Sequence, residues 1–574
     1  NSLVGNAVLD SDKLSLNLQF ATDKTLTARK GPTPTFTRAS GATQVGSTGL
    51  IEYAPENQIL QSEDFNTTWT KNQSTVVTNT IASPTGSLTA DKIVEDSSNS
   101  FHGVDQTISF IAIPYTFSVY VKKAEREWIR LFMAGLPSTW FNLSTGTIGT
   151  IGSGVTATIQ NAGNGWWRCS ITGIASSGAS GLRLSTDNNI LTYLGDSSSG
   201  IFAWGAQIER SSTARTYIPT TTAAVYGARF DHDPITLACK GLLIEESRTN
   251  TLIQSNDFAN AAWAKSNITI GSTTNLSPDG SNNATLLIAG TASVSWIFRS
   301  SITASGSTVT FFAKSSGKRW AVVDASSGSG TAGVWFDLQN GVVGTVASGY
   351  TASIQQFPSG FYRCRVTYPS SGAGTFCVIG VSDNDGLFVS TGSGSNGIIL
   401  YGAQLEAGSF PTSYIPTTTA SVVRSVDVCS ITGSAFTGFY NQSEGTAVMK
   451  FTSGDTSGFP QIFTFNQTAT PFANRIYVVG YNRMQNTEVG ITTASVSQLS
   501  YIGSLTNKSG NIALAYKTND AAYARGGAID TTDNTVTLGT LIDRVNFNEF
   551  NGCIISFRYF KKRLVNAKLQ TLTT

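Results

Sequence analysis

The 574-residue chain has little of what most catalytic and many binding chemistries need. Histidine occurs only at His102 and His232, so neither a histidine-bearing zinc centre nor a Ser-His-Asp arrangement is easily assembled. Charged residues make up 13% of the chain, about half the usual share. The net charge is +2 and no basic run occurs, which argues against nucleic acid as a partner. No apolar stretch approaches the roughly 18 residues of a spanning helix, so no membrane span is expected. Cys169, Cys239, Cys364, Cys377, Cys429 and Cys553 form no CxxC pair and are too sparse for a disulfide scaffold. Reduced, buried thiols are expected of a chain made in a cytoplasm. The N-terminus has neither a Met nor a basic-then-apolar signal pattern, a beginning expected of a processed or truncated chain.

Gly, Ser and Thr take the place of the missing charge. Glycine supplies positive φ at turns, and Thr and the aromatics fit a pleated surface. The composition suits short strands joined by many turns. It disfavours long surface helices, and the length points to about three domains.

The chain also repeats itself. WGAQIERSSTARTYIPTTTA at Trp204–Ala223 returns as YGAQLEAGSFPTSYIPTTTA at Tyr401–Ala420, 197 residues on, with 12 of 20 positions identical. Other landmarks repeat in the same order: NQILQS at Asn57 with NTLIQS at Asn250, SPTG at Ser83 with SPDG at Ser277, and WFNLSTGTIGT at Trp140 with WFDLQNGVVGT at Trp335. GWWRCSIT and GFYRCRVT pair Cys169 with Cys364. Residues 115–121, YTFSVYV, alternate with the period of a half-buried strand. In the closing strand the same rule places Phe202, Trp204, Ala206 and Ile208 on one face, and Ile399, Tyr401, Ala403 and Leu405 on its counterpart. Each copy therefore reads as a jelly-roll β-sandwich, residues 57–223 and 250–420, closed by a Tyr-Ile-Pro exit. The rings of Tyr217 and Tyr414 are expected to pin the outgoing chain.

Residues 421–574 have no copy elsewhere and read as a different antiparallel sandwich. Hairpins are expected at Asn519-Asp520 and Gly526-Gly527. A last strand over 553–560 is expected to put Cys553, Ile555, Phe557 and Tyr559 on one face, followed by a short helix in LVNAKLQTL. Residues 1–56 are left as an N-terminal anchoring and connector segment, and 224–249 as a connector. GSTGLIEYAPEN at 46–57 partly repeats GLLIEESRTN, so residues 34–56 and 224–249 are expected to pack together around an inserted jelly roll.

The ordered set PTFTRAS, RFDHDP, GLLIEESRTN, QSNDF, GWWRCSIT, GAQLE and SYIPTTT resembles virion fibre and spike proteins of tailed bacteriophages, over about residues 34–574. The end of the chain resembles the concanavalin A-like or laminin G-like sandwich that closes such proteins; Arg563, Leu564, Asn566, Ala567, Leu569 and Gln570 fit its final helix. The resemblance implies an all-β protein of two carbohydrate-binding-like jelly rolls followed by a lectin-like sandwich. It further implies a virion location on tail or capsid, host attachment by multivalent glycan binding, and a homo-oligomer, with a trimer expected by analogy. The N-terminal segment would meet other virion proteins, and host polysaccharide would be the receptor. The alternatives are a purely structural capsid-decoration or tail adaptor protein, and a secreted polysaccharide-active enzyme.

Sugars stack on exposed aromatic faces. Trp128 and Trp320 lie just beyond turns and are the best candidates for exposure, although recurrent tryptophans are more often core. Trp166 and Phe361, with Arg168 and Arg363 on the same strand face, form a second carbohydrate-binding candidate. A structural cation–π pair is the ordinary reading there. Asp383, Asp385 and Asp187 lie in Asx-rich stretches that resemble the start of a calcium loop, but the rest of an EF-hand is missing and a plain turn explains them better. No cofactor is expected. Glu209/Glu406, Glu52/Glu245 and Asp64/Asp257 recur at strand ends, connectors or turns, not as an evident carboxylate pair for glycoside hydrolysis, so no enzyme is expected.

Overall fold

Antiparallel strands dominate the computed structural model, which describes residues 13–291, 294–324, 333–371, 374–392, 394–453, 461–481, 486–505, 509–548 and 550–574. The chain divides into two compact units, residues 53–227 and residues 1–52 with 228–574.

The unit 53–227 is built on two six-stranded sheets. In one, Pro114–Lys123 lies between Trp166–Ile174 and Gly200–Glu209. In the other, Gly178–Ser185 lies between His102–Ile108 and Trp128–Phe132. Tyr115, Phe117, Val119 and Val121 share one core with Ile129, Leu131, Leu182 and Leu184 from the other sheet. This is the period-two alternation expected of YTFSVYV. In the second unit, residues 250–420 repeat the arrangement. Ser307–Ser316 lies between Tyr362–Thr367 and Gly397–Ala407, facing a second six-stranded sheet.

The repeated closing phrase is a hydrogen-bonded latch. Gln207 and Gln404 accept the backbone N–H of Ile218 and Ile415, at 2.8 and 2.5 Å. Asn57 and Asn250 donate to the carbonyls of Ile218 and Ile415. The hydroxyls of Tyr217 and Tyr414 meet Ser62 and Ser255 at 2.6 and 2.7 Å. Thr220 and Thr417 donate back to Ile59 and Leu252. The exit therefore binds the polar side chains that open its own copy, in NQILQS and NTLIQS. These bonds satisfy backbone groups that the outgoing proline segment cannot place in a ladder.

The closing strand departs from simple alternation. Gly205 and Gly402 have φ of +61° and +63°, and the pairing register slips there. Before the slip Ile201 and Ala203 face the core; after it Ala206 and Ile208 do. Trp204 and Phe202 lie in a separate cluster with Tyr217. Leu400, Ala403 and Leu405 repeat the pattern, with Ile399 and Tyr401 outside that core. One extra residue in a strand inverts every face beyond it.

The terminal sandwich is assembled from three stretches of chain. Its eight-stranded sheet contains Leu14–Leu18, Arg229–His232 and Cys239–Ile244 beside strands from 444 onward. Leu14–Leu18 runs along Phe557–Phe560, and Leu242–Ile244 runs along Gly552–Ile554. Both cover the same edge of the last strand. In the facing seven-stranded sheet Thr35–Thr37 pairs with Val428–Thr432. Leu16, Leu18, Phe20, Leu242 and Ile244 share one core with Phe463, Val478, Phe557 and Tyr559. The segments 1–56 and 224–249, read from sequence as anchor and connectors, are thus partly strands of this sandwich. Residues 1–12 lie outside the described residues.

The hairpin expected at Gly526-Gly527 forms, both glycines having the positive φ that its two-residue loop requires, and the one expected at Asn519-Asp520 turns one residue earlier, at Thr518-Asn519, with Asn519 at φ +59° and Asp520 paired with Lys517. The last strand spans Gly552–Phe560 with a bulge, so Ile554, Phe557 and Tyr559 face the core and the predicted face of Cys553 and Ile555 is corrected. The helix Asn566–Thr573 lies on the outer face of the eight-stranded sheet, over Ala513, Ala515, Ala522 and Ala524. Their small side chains let a helix sit close to the strands.

Candidate functional site

Trp128 and Trp320 each have a glycine against the ring. Gly149 and Gly344, from the repeated IGT and VGT triplets, lie over the two rings. A Cβ at either position would stand 2.8 and 2.6 Å from the nearest indole carbon. The glycines recur because the indoles occupy the space of a side chain. Trp128 is half-buried, and Trp320 is buried in an outer-face cluster with Val322, Trp335 and Phe388. Trp166 is buried against Ala90 and Trp204, and its indole N–H donates to the Ala82 carbonyl. Phe361 is fully buried against other aromatic side chains. Neither Trp166 nor Phe361 has a free face for a sugar ring.

Arg168 and Arg363 hold the geometry of cation–π pairs, with their guanidinium carbons 5.2 Å from the Tyr120 ring and 5.6 Å from the Phe312 ring. The aspartates cap backbone. Asp383 pairs with Lys318 and accepts the Thr391 N–H and hydroxyl. Burial opposes its ionisation, but these partners hold its pKa below the usual carboxylate value. Asp385 accepts the Thr345 N–H, and Asp187 accepts that of Asn188. Among the described residues no group of three or more His, Cys, Asp or Glu is placed to hold a metal ion. The six cysteines are free, and five of them are buried.

The structure instead brings Arg363 into a cleft of about 310 Å3 within the second unit. That volume is at the lower end of small-molecule sites, roughly 300–1,000 Å3. The second sandwich contributes Gln355, Phe357, Arg363 and the loop Phe410–Tyr414. The terminal sandwich contributes Thr452, Ser453, Asn551 and Cys553 together with Asp231, Lys240 and Glu245. Thr43, Gln44 and Val45 complete it. They are held there because the Arg229 guanidinium donates to the Thr43 carbonyl, Gln44 accepts the Phe230 N–H, and Asp231 accepts the Val45 N–H. Residues 43–45 and 229–231 therefore lie against each other.

Behind the cleft is a buried ionic cluster. Arg229 pairs with Glu245 at 2.6 Å and with Asp427. Arg38 pairs with Asp427 at 2.9 Å, and Arg424 lies 3.5 Å from Glu245. Burial alone would raise the Glu245 pKa. Arg424, Arg229 and the bonds from Ser413 overcome it and hold the carboxyl at about 2. Glu245 is therefore a fixed anion that positions the Ser413 loop at the cleft wall.

Of the carbohydrate-binding and calcium candidates, Arg363 lines this cleft, and so does Glu245 from the recurring carboxylates. Phe357 and Asn551 carried no sequence signal, since each is a single residue outside the repeated landmarks, and Phe410 lies inside the closing phrase at a position where the first copy has Thr213. The expected packing of 34–56 on 224–249 was the nearest available pointer. In comparisons with known proteins, no family model and no curated protein matches the chain. Among the described residues no helix is long and apolar enough to cross a membrane.

Proposed function

We propose that this chain is a non-enzymatic fibre or spike component of a tailed-bacteriophage virion that binds glycans on the host surface. The observation that carries the reading is the cleft around Arg363, whose lining combines amide, hydroxyl, carboxylate, ammonium and guanidinium groups with the edges of largely buried aromatic side chains. Such a mixture suits a saccharide, whose ring has apolar C–H faces and a polar rim. The ordered landmarks that resemble phage fibre proteins supply the virion context, and the duplicated sandwiches fit a display role. Several copies in a homo-oligomer, a trimer by analogy, would turn weak single-site binding into avidity.

The test uses the full chain, labelled and applied to a panel of bacterial cells and their purified surface polysaccharides. Retention on at least one cell type, competed by its own polysaccharide, is expected, with no release of reducing ends. Failure to be retained on any of them would remove the adhesin reading. Release of reducing ends would replace it with an enzyme.

A further inference from the structure

The outer face of the eight-stranded sheet gathers donors that no described residue uses. Strand pairing fixes which side chains share that face. Arg558 stands between Asn17 on Leu14–Leu18 and Val448 on Glu444–Ser453. Val448 and Phe560 belong to the cluster under the helix Asn566–Thr573, so Arg558 points to the same side, next to the part the helix covers. In the adjacent row Lys450 stands opposite Ser556. Opposed residues of a ladder share a face, and diagonal neighbours lie roughly 7–8 Å apart, within reach of long side chains. Arg558, Lys450, Asn17 and Ser556 therefore form one group, drawn from both ends of the chain.

The group is open to solvent. Arg558 is partly exposed, and it makes no hydrogen bond, ion pair or ring contact with any described residue. None of its nitrogens is sealed from solvent. Burial lowers its pKa, and no carboxylate opposes that effect. Lys450 is exposed and has no carboxylate partner among the described residues. Asn17 accepts the Gln19 amide through Oδ1 at 2.6 Å, which leaves its own amide N–H groups to donate. The half-buried Ser556 hydroxyl has no partner among the described residues. A partly buried guanidinium that nothing neutralises costs stability. Four donors together, two of them cationic, match an oxyanion, whose oxygens suit the planar fork of arginine.

We propose that this face binds an anionic group of a surface glycan, a uronate carboxylate or a sugar phosphate, received by Arg558 with Lys450, Asn17 and Ser556 around it. The carrier of the anion rests on the glycan-binding reading. None of the four residues lines the cleft around Arg363, so this is a second site.

The full-length protein is titrated calorimetrically with oligogalacturonate, with mannose 6-phosphate, with their carboxyl-reduced and dephosphorylated counterparts, and with inorganic phosphate. At least one anionic sugar should bind about tenfold or more tightly than its neutral counterpart, as expected of one charge-assisted hydrogen bond. Arg558→Met keeps the aliphatic stem and drops the charge. It should erase that preference and leave the urea midpoint unchanged or raised, because an unneutralised charge has gone. Lys450→Gln, at an exposed position, should weaken anionic binding several-fold and serves if Arg558→Met does not fold. Lys123→Gln removes the same charge from an exposed position in the unit 53–227 and should leave binding unchanged. Equal weakening by Lys123→Gln would mean general attraction of anions and overturn the site. Undiminished binding by Arg558→Met or Lys450→Gln, or a lowered midpoint in Arg558→Met, would overturn the roles given to them. Inorganic phosphate binding as tightly as the sugars would overturn the glycan as carrier. Equal binding of anionic and neutral sugars, or no binding of any anionic probe, would overturn the inference, and the cell-retention assay then decides the adhesin reading separately.

Discussion

Gly402 carries more of this structure than its size suggests. Its φ of +63° is what lets the closing strand slip register and turn Ala403 and Leu405 into the core. A Cβ there would stand 3.1 Å from the Phe312 ring and 3.2 Å from that of Tyr414. Gly402→Ala should therefore lose about 1–2 kcal/mol from the left-handed backbone alone, and more from the contacts. Urea denaturation should show a lower midpoint, and an unchanged midpoint would refute the role given to the bulge. Glycine in GAQ was legible as a repeated residue, but the sequence does not say that its φ is positive. Alternation therefore predicted Trp204 and Ala206 on one face when they lie on opposite ones. The tryptophan environments were hidden for a related reason. Trp128 and Trp320 follow turns, as exposed rings do, yet the glycines against them, Gly149 and Gly344, come from more than 20 residues further along the chain.

At the scale of elements, the last strand was read correctly in place and incompletely in company. Its exposed edge would be an open template for pairing with another chain. Leu14–Leu18 and Leu242–Ile244 cover it, and Leu16 and Leu18 are fully buried in the sandwich core. Nothing local in LSLNL names a partner more than 500 residues away. Leu16→Asp should bury an unpaired carboxylate and destabilise the terminal sandwich by about 3 kcal/mol or more. Hydrogen exchange should then show lost protection in the strands Glu444–Ser453 and Gly552–Phe560, with protection within 53–227 unchanged. Unchanged exchange in the terminal sandwich would mean that the N-terminal strand is dispensable there.

For the molecule as a whole, the buried cluster of Arg38, Arg229, Arg424, Glu245 and Asp427 joins stretches that enter the second unit from distant parts of the sequence. Glu245 has its pKa depressed from 4.5 to about 2. A carboxyl depressed on folding contributes stability that is fully present above its unfolded pKa and is lost as pH falls toward the folded one. The second unit should accordingly weaken between about pH 4.5 and pH 2. Glu245→Gln should cost about 3–5 kcal/mol at neutral pH, because it leaves buried guanidinium groups short of a counter-charge. The same variant should flatten the acid limb of a plot of urea midpoint against pH. A variant as stable as the parent at pH 7, or one with the same acid limb, would contradict this account.

By itself the sequence determined the β class, the duplication, the hairpin turns and the ingredients of the exit latch. Each depends on short-range properties that survive in the order of residues: period-two patterning, turn chemistry and the recurrence of a phrase. Tertiary structure alone decided that the terminal sandwich takes strands from residues 14–18, 35–37 and 229–244. It also decided where bulges invert a face and which side chains converge on the cleft. Those outcomes follow from the free energy of whole sheets, in which an open edge, a glycine free to adopt positive φ and an unpaired guanidinium find their partners only once distant segments meet.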